Sequence, residues 1–183
     1  MNTTTSEPNP NKYVKFRTPQ VLAEMAIFIA LATVLSLIVV YTLPQGGSIT
    51  LASMVPILWL ALRRGPKVGI TAGIIYGLIQ LAILPYVIDP IQLLLDYPLA
   101  FGVLGLAGFF KNKPLIGAAV GISGRFVMHF VAGVVYWAPI EAPNINPYVY
   151  SAIYNGSYLL PELLISAFVI FLLMKSKVLK AYL

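Results

Sequence analysis

The sequence predicts an all-α integral membrane protein of six transmembrane helices, with both termini in the cytoplasm. Three observations carry this prediction. The first is composition: 59% of the 183 residues are hydrophobic and 10% are charged, with a mean hydropathy of +0.86. A soluble domain carries roughly a quarter charged residues, so this chain cannot cover a water-facing surface and must turn much of itself to lipid. The second is that the apolar residues fall into six blocks, at roughly 20–43, 48–62, 66–84, 90–110, 114–137 and 147–174. The third is where the cations lie. Eleven of the twelve lysines and arginines sit before the first block, between the second and third, between the fourth and fifth, or after the sixth. The intervening loops near 44–47, 85–89 and 138–146 hold none, and carry Asp89 and Glu141 instead. The positive-inside bias then places the cationic loops in the cytoplasm, and an even number of spans returns the chain to its starting side.

The elements follow in order. Residues 1–19 are expected to be a disordered cytoplasmic tail: Met1 to Asn11 is polar, contains Pro8 and Pro10, and lacks the apolar core of a signal peptide. Lys12, Lys15 and Arg17 close it. Residues 20–183 form one six-helix domain. Spanning about 30 Å of hydrocarbon takes roughly 20 helical residues, which blocks one, four, five and six supply. Block two is short and block three marginal, so either is expected to be tilted, broken or shielded by neighbours. In a small membrane protein such segments often flank a binding cavity. Arg63, Arg64 and Lys67 mark one cytoplasmic loop, Lys111 and Lys113 the next, and Lys175, Lys177 and Lys180 the C-terminal end. The net charge of +6, clustered in this way, reads as topology and not as a nucleic-acid footprint.

Polar side chains within the spans are costly and point to function or to pairing. Asp96 lies about 9 Å below the outer end of the fourth block and His129 about 12 Å below that of the fifth, at 1.5 Å per helical residue. Arg125, the twelfth basic residue, is one turn deeper than His129 on the same face. One reading of this trio is a structural Asp96–Arg125 ion pair with His129 hydrogen-bonded beside it. The other is a binding pocket, which the aromatic residues favour. Tyr86 and Tyr97 flank Asp96 in the chain, Tyr136 and Trp137 close the fifth block, and Tyr150, Tyr154 and Tyr158 form an i, i+4, i+8 stripe with Asn155 adjoining. An interfacial aromatic belt accounts for Tyr13, Tyr41 and Tyr148. Aromatic faces stack on flat rings and attract cations, a carboxylate favours a cation or an amidine-like edge, and Asn and His supply paired donors and acceptors. A flat, cationic, nitrogen-rich molecule suits the set.

Enzyme signatures are missing. The sequence has no HExxH, GxxxxGK[ST] or GxSxG, a single histidine and no cysteine, so the expectation is a binding protein with no metal or cofactor and no ATP hydrolysis of its own. Gly46–Gly47 reads as a tight turn. On the first block, Ala23, Ala26, Ala30 and Ala32 form a small-residue flank, with Ala26 and Ala30 at helical spacing. That flank serves internal packing or partner docking.

Five runs, Pro44-Gln-Gly-Gly-Ser48, Leu62-Arg-Arg-Gly65, Ile91-Gln-Leu-Leu-Leu-Asp-Tyr97, His129-Phe-Val-Ala-Gly133 with Trp137, and Tyr150-Ser-Ala-Ile-Tyr-Asn155, occur in an order and spacing that resembles the thiamine-specific substrate-binding subunits (S components) of energy-coupling factor transporters. The resemblance covers about residue 20 to the C-terminus. It implies a bacterial cell-membrane protein with a thiamine site near the outer surface. It also implies partners: one transmembrane coupling protein and two ATPase subunits, which alone use ATP. By position it implies an acidic pocket residue at Asp96 (Glu in some relatives), pocket tyrosines at Tyr86, Tyr97 and Tyr150, the imidazole at His129, a stacking indole at Trp137, the pocket amide at Asn155 and a basic group at Arg125 (Lys in some relatives). It places coupling-protein docking on Ala26 and Ala30. Some members carry a tryptophan in the loop between the first two helices, where Gly47 stands here. The residues alone also admit the same fold tuned to another vitamin or a thiamine precursor, a standalone channel, or a structural membrane subunit.

Overall fold

The structure, a computed structural model, describes residues 18–176. The elements are α1 (Pro19–Ser36), β1 (Val39–Thr42), β2 (Ser48–Thr50), α2 (Val55–Arg64), α3 (Pro66–Ile83), α4 (Pro90–Phe110), α5 (Pro114–Glu141) and α6 (Pro147–Lys175). Five of the helices, α1 and α3 to α6, are long and apolar enough to cross a bilayer. The expected tail, with Lys12, Tyr13, Lys15 and Arg17, lies outside the described residues apart from its last two positions, as do Lys177 and Lys180. At those last two positions Thr18 caps and Pro19 begins α1, so the helix starts inside the stretch assigned to the tail.

Helix boundaries follow local chemistry. Each helix begins with a proline in its first turn, where the missing N–H costs nothing. Asp89 and Asn146 cap α4 and α6: Asp89 Oδ1 accepts from the Ile91 amide at 2.7 Å, and Asn146 Oδ1 from the Tyr148 amide at 3.0 Å.

The first two apolar blocks differ from simple spans. Block one leaves helix after Ser36 and enters a two-stranded antiparallel hairpin, β1–β2, whose tip is Pro44–Gly47. Block two begins as strand β2, and only Val55–Arg64, 10 residues, is helical. A helix of that length is about 15 Å long and cannot span the bilayer. It survives because it is enclosed: Ile57, Leu58, Leu60 and Ala61 are 0% exposed. Among the described residues, five of the six apolar segments thus contain a helix long and apolar enough to span, while the second consists of strand, turn and a short buried helix.

One end of the bundle gathers the cations. Gly65, at φ +93°, makes the α2–α3 turn, and the side chain of Lys111 packs beside it. Arg64 reaches across to α1, its Nε and Nη2 donating to Glu24 at 2.7 and 2.5 Å. Near this end α3 and α4 pack with their backbones almost touching: a methyl group added at Gly105 would stand 2.1 Å from the Ile70 nitrogen, and one at Gly73 2.2 Å from the Phe101 carbonyl oxygen. Such close approach is how helices adhere in lipid, where packing replaces the hydrophobic effect.

The other end is irregular. Helix α4 contains a π-helical turn at Leu95–Leu99 and α5 one at Gly133–Trp137, whereas the 3-10 stretch of α4, Val103–Phe110, runs toward the cationic end. Pro98 lies inside the first π-turn and Pro139 two residues beyond the second, each removing one ladder donor.

Candidate ligand-binding site

The two π-turns carry the site. The first presents Asp96 and Tyr97, the second Trp137. Between them, under the β-hairpin, lies a cavity of about 130 Å³, far above the roughly 10–15 Å³ that admits one water. All eight residues singled out as binding candidates line it: Tyr86, Asp96, Tyr97, Arg125, His129, Trp137, Tyr150 and Asn155.

Asp96 is the centre of the polar network. Its Oδ1 faces His129 Nδ1 at 2.7 Å, and its Oδ2 accepts from Gln92 Nε2 at 2.7 Å and from Trp137 Nε1 at 2.9 Å. Arg125 Nε donates to His129 Nε2 at 3.2 Å. A guanidinium can only donate, so His129 Nε2 is an acceptor and the ring proton sits on Nδ1, directed at Asp96. Three neutral donors thus converge on one carboxylate.

This corrects the ion-pair expectation. Arg125 does not hold Asp96 directly. It stands on the far side of the imidazole, its guanidinium 4.1 Å from the centre of the Phe101 ring. The physical reason is register: Arg125 and His129 share a face one turn apart, and only His129 reaches the depth of Asp96.

The other candidates take distinct parts. Tyr97 is buried, and its hydroxyl accepts from the Tyr86 amide at 2.8 Å and donates to the Leu84 carbonyl at 2.7 Å, which fastens the α3–α4 loop. Tyr86 is exposed, its ring edge-on to Trp137 at 6.5 Å between centroids. Tyr150 stacks on Tyr154 at 5.9 Å. The Asn155 amide nitrogen donates to Ser151 and to the His129 carbonyl, while its Oδ1 accepts from Tyr158 at 3.0 Å. Asn155 therefore ties α5 to α6 at the cavity wall and keeps one lone pair on Oδ1.

The hairpin tip roofs the cavity. Gln45, Gly46, Gly47 and Ser48 all line it. Gln45 and Gly46 adopt left-handed φ values of 63° and 85°, the conformation a tight turn demands. The Gly47 amide donates to the Tyr154 hydroxyl at 3.0 Å, and that hydroxyl donates to the Pro44 carbonyl. Gln45 Nε2 donates to Glu141 Oε2 at 2.9 Å, on the opposite rim. A Cβ at Gly47 would lie 2.8 Å from the Tyr154 hydroxyl, so a side chain there would displace the tyrosine that pins the tip.

Gln45, Gln80, Gln92 and Phe101 are among the wall residues outside the predicted set. Gln92 is 0% exposed and also binds the Tyr86 carbonyl and the Ile88 amide. Its signal was available, because it precedes Asp96 by one helical turn and so shares its face. Gln80 is tied to Ser36 at 2.8 Å.

A bundle of membrane-crossing helices with one outward-sided, aromatic-walled, roofed hollow defines a membrane-embedded ligand-binding component. Comparison with known proteins narrows this. The family described as thiamine transporter protein (Thia_YuaJ) matches residues 22–181, and the chain belongs to that family. It is 33% identical over 171 residues to the thiamine transporter ThiT of Bacillus subtilis (strain 168), covering 83% of this chain and 88% of that protein. It is 31% identical over 123 residues to ThiT of Lacticaseibacillus paracasei, covering 56% and 61%. The solved structure of ThiT from Listeria monocytogenes superposes with a TM-score of 0.77 at 28% identity, covering 86% of this chain and 94% of that one. The chain is accordingly a multi-pass protein of the bacterial cell membrane.

Proposed function

We propose that this protein captures thiamine from outside the cell and delivers it to an ATP-driven energy-coupling module. One observation carries the reading: the Asp96 carboxylate is held by three neutral donors, so among the described residues no cation pairs with it directly, and it faces a cavity walled by Trp137 and tyrosines. Family membership and the relatives named thiamine transporters support the choice of ligand.

In this reading the cationic thiazolium lies against the Trp137 face and is attracted by Asp96, since both a π-face and a carboxylate favour a cation in a desolvated site. Trp137 is suited to the task, because its N–H is anchored to Asp96 and its ring orientation is thereby set. His129, Asn155 and Tyr150 orient the aminopyrimidine. Arg125 fixes the imidazole tautomer, and Tyr86 and Tyr97 form the rim. The ligand enters when the Pro44–Gly47 roof lifts. The chain catalyses nothing and uses neither metal nor cofactor, and ATP is hydrolysed by two partner subunits. The face of α1 bearing Ala23, Ala26 and Ala30 is exposed and is suited by its small residues to docking the transmembrane coupling protein.

Titration with thiamine tests the ligand. The chain has two tryptophans, and Trp59 is buried in α2 away from the cavity, so quenching reports Trp137. Saturable quenching, competed weakly by the isolated aminopyrimidine, is the expected result. No quenching and no heat on titration with thiamine would overturn the reading, and equal affinity for the pyrimidine would reassign the ligand. Docking is tested separately: Ala26→Trp with Ala30→Trp should abolish cellular thiamine uptake while leaving binding by the purified chain intact.

A further inference from the structure

Helix α6 carries Tyr154, Tyr158, Glu162 and Ser166 at four-residue spacing, a single stripe along one face. The stripe runs beside the β-hairpin and grips it at both ends. At the tip, the Tyr154 hydroxyl binds Gly47 and Pro44. At the root, Glu162 Oε1 accepts from the Thr50 amide and from the Thr50 hydroxyl, the latter at 2.7 Å, with Ser53 Oγ 2.7 Å from the same hydroxyl. Thr50 is the last residue of β2, where the hairpin passes into the turn before α2.

Glu162 is 2% exposed, and it does not line the cavity. Its second oxygen and the Ser166 hydroxyl have no hydrogen-bond partner among the described residues. A buried carboxylate with half its acceptors empty, and with no cation in ion-pair range among the described residues, is costly to desolvate and a poor way to stabilise a helical bundle. What the carboxylate does accomplish is local: it satisfies the terminal amide and hydroxyl of the strand that carries the roof.

We propose that Glu162 is a positioning residue for ligand retention, clamping the root of the hairpin so that the roof closes over the cavity as one rigid piece pinned at root and tip. This rests on the reading that the cavity holds its ligand beneath the hairpin. Glu162 touches no ligand. It acts through Thr50 on how often the roof lifts, and therefore on release more than on entry.

The test separates release from stability. Thiamine dissociation from the purified full-length chain is followed by stopped-flow recovery of tryptophan fluorescence, with thermal unfolding in parallel. Glu162→Leu should speed dissociation by about tenfold or more and change association by less than about threefold, with only a modest fall in unfolding temperature as the Thr50 amide and hydroxyl lose their acceptor. Glu162→Gln keeps a carbonyl oxygen for Thr50 and should release at close to the wild-type rate. Thr50→Val, which keeps the amide and loses the hydroxyl, should fall between and serves if the leucine variant does not fold. A folded leucine variant that releases at the wild-type rate, or one whose only change is a lower unfolding temperature, overturns the clamp. If the wild-type chain gives no thiamine signal at all, the ligand assignment fails and the clamp is read directly. The chain has no cysteine, so spin labels at Val40→Cys and Ile145→Cys, both exposed, report the distance from hairpin to opposite rim. The leucine substitution should broaden that distance distribution, and an unchanged distribution overturns the clamp there too.

Discussion

The two ends of this bundle solve opposite problems. At the cationic end α3 and α4 meet backbone to backbone through Gly73 and Gly105, α2 is fully enclosed, and Arg64 is satisfied by Glu24. At the outer end the helices lose regularity: two π-turns and a β-hairpin surround a hollow lined with polar and aromatic side chains. Irregular backbone at membrane depth is tolerated where protein or a cavity encloses it, and here it is concentrated where side chains must be aimed. The contrast teaches that stability and recognition are drawn from different parts of the same helices. Helix α4 contributes Gly105 to one and Asp96 to the other.

Substitutions at each end should therefore have crossed effects. The largest is expected at Asp96. An asparagine there offers one acceptor oxygen to three donors and turns an amino group toward Gln92 and Trp137, so Asp96→Asn should weaken thiamine binding by about 2–5 kcal/mol. Isothermal titration measures this, with helical content unchanged by circular dichroism. Gly105→Ala should do the reverse: the added methyl cannot avoid the Ile70 backbone and should cost about 1–3 kcal/mol of stability, seen as a lower melting temperature, while molecules that remain folded bind normally. Loss of affinity in the folded fraction would mean the two ends are not independent.

Trp137→Ala should weaken binding by about 1–3 kcal/mol through lost area and cation–π attraction, and it removes one of the donors that hold Asp96. The smallest effect is expected at the cationic end's ion pair. Glu24→Gln should alter thiamine affinity by less than about twofold, as sites that share no partners act independently. A larger change by titration would mean that the α1–α2 contact reports to the cavity.

The chain pattern discloses these regions unequally. The long blocks were legible because lipid-facing helices must be apolar along their whole length, and the positive-inside distribution supplied their order. The eight wall residues were legible because polar groups are scarce inside a membrane and each stands out. The hairpin was not: Leu37, Ile38, Val39 and Val40 continue the hydropathy of α1, and apolarity alone does not say where helix gives way to strand. The glycine packing of α3 on α4 was overlooked in favour of the alanines of α1, since small residues at helical spacing mark either an internal seam or an outer face. The Asp96–Arg125 pairing, one of the two readings the residues allow, fails because only His129 and Trp137 reach the register of Asp96. Asp96 and Trp137 are aimed by π-turns, which have no clear sequence signature beyond a nearby proline.

The enclosure of α2 has a consequence for how the protein is made. A ten-residue helix is too short to be released laterally into lipid as an independent segment when it leaves the ribosome. Leu58 and Leu62 reach their final neighbours at Gly121 and Gly117 on α5, about 60 residues further along the chain. Biogenesis must keep this segment sheltered until the later helices have been synthesised and can wrap around it, so the middle of the molecule is threaded early and seated late.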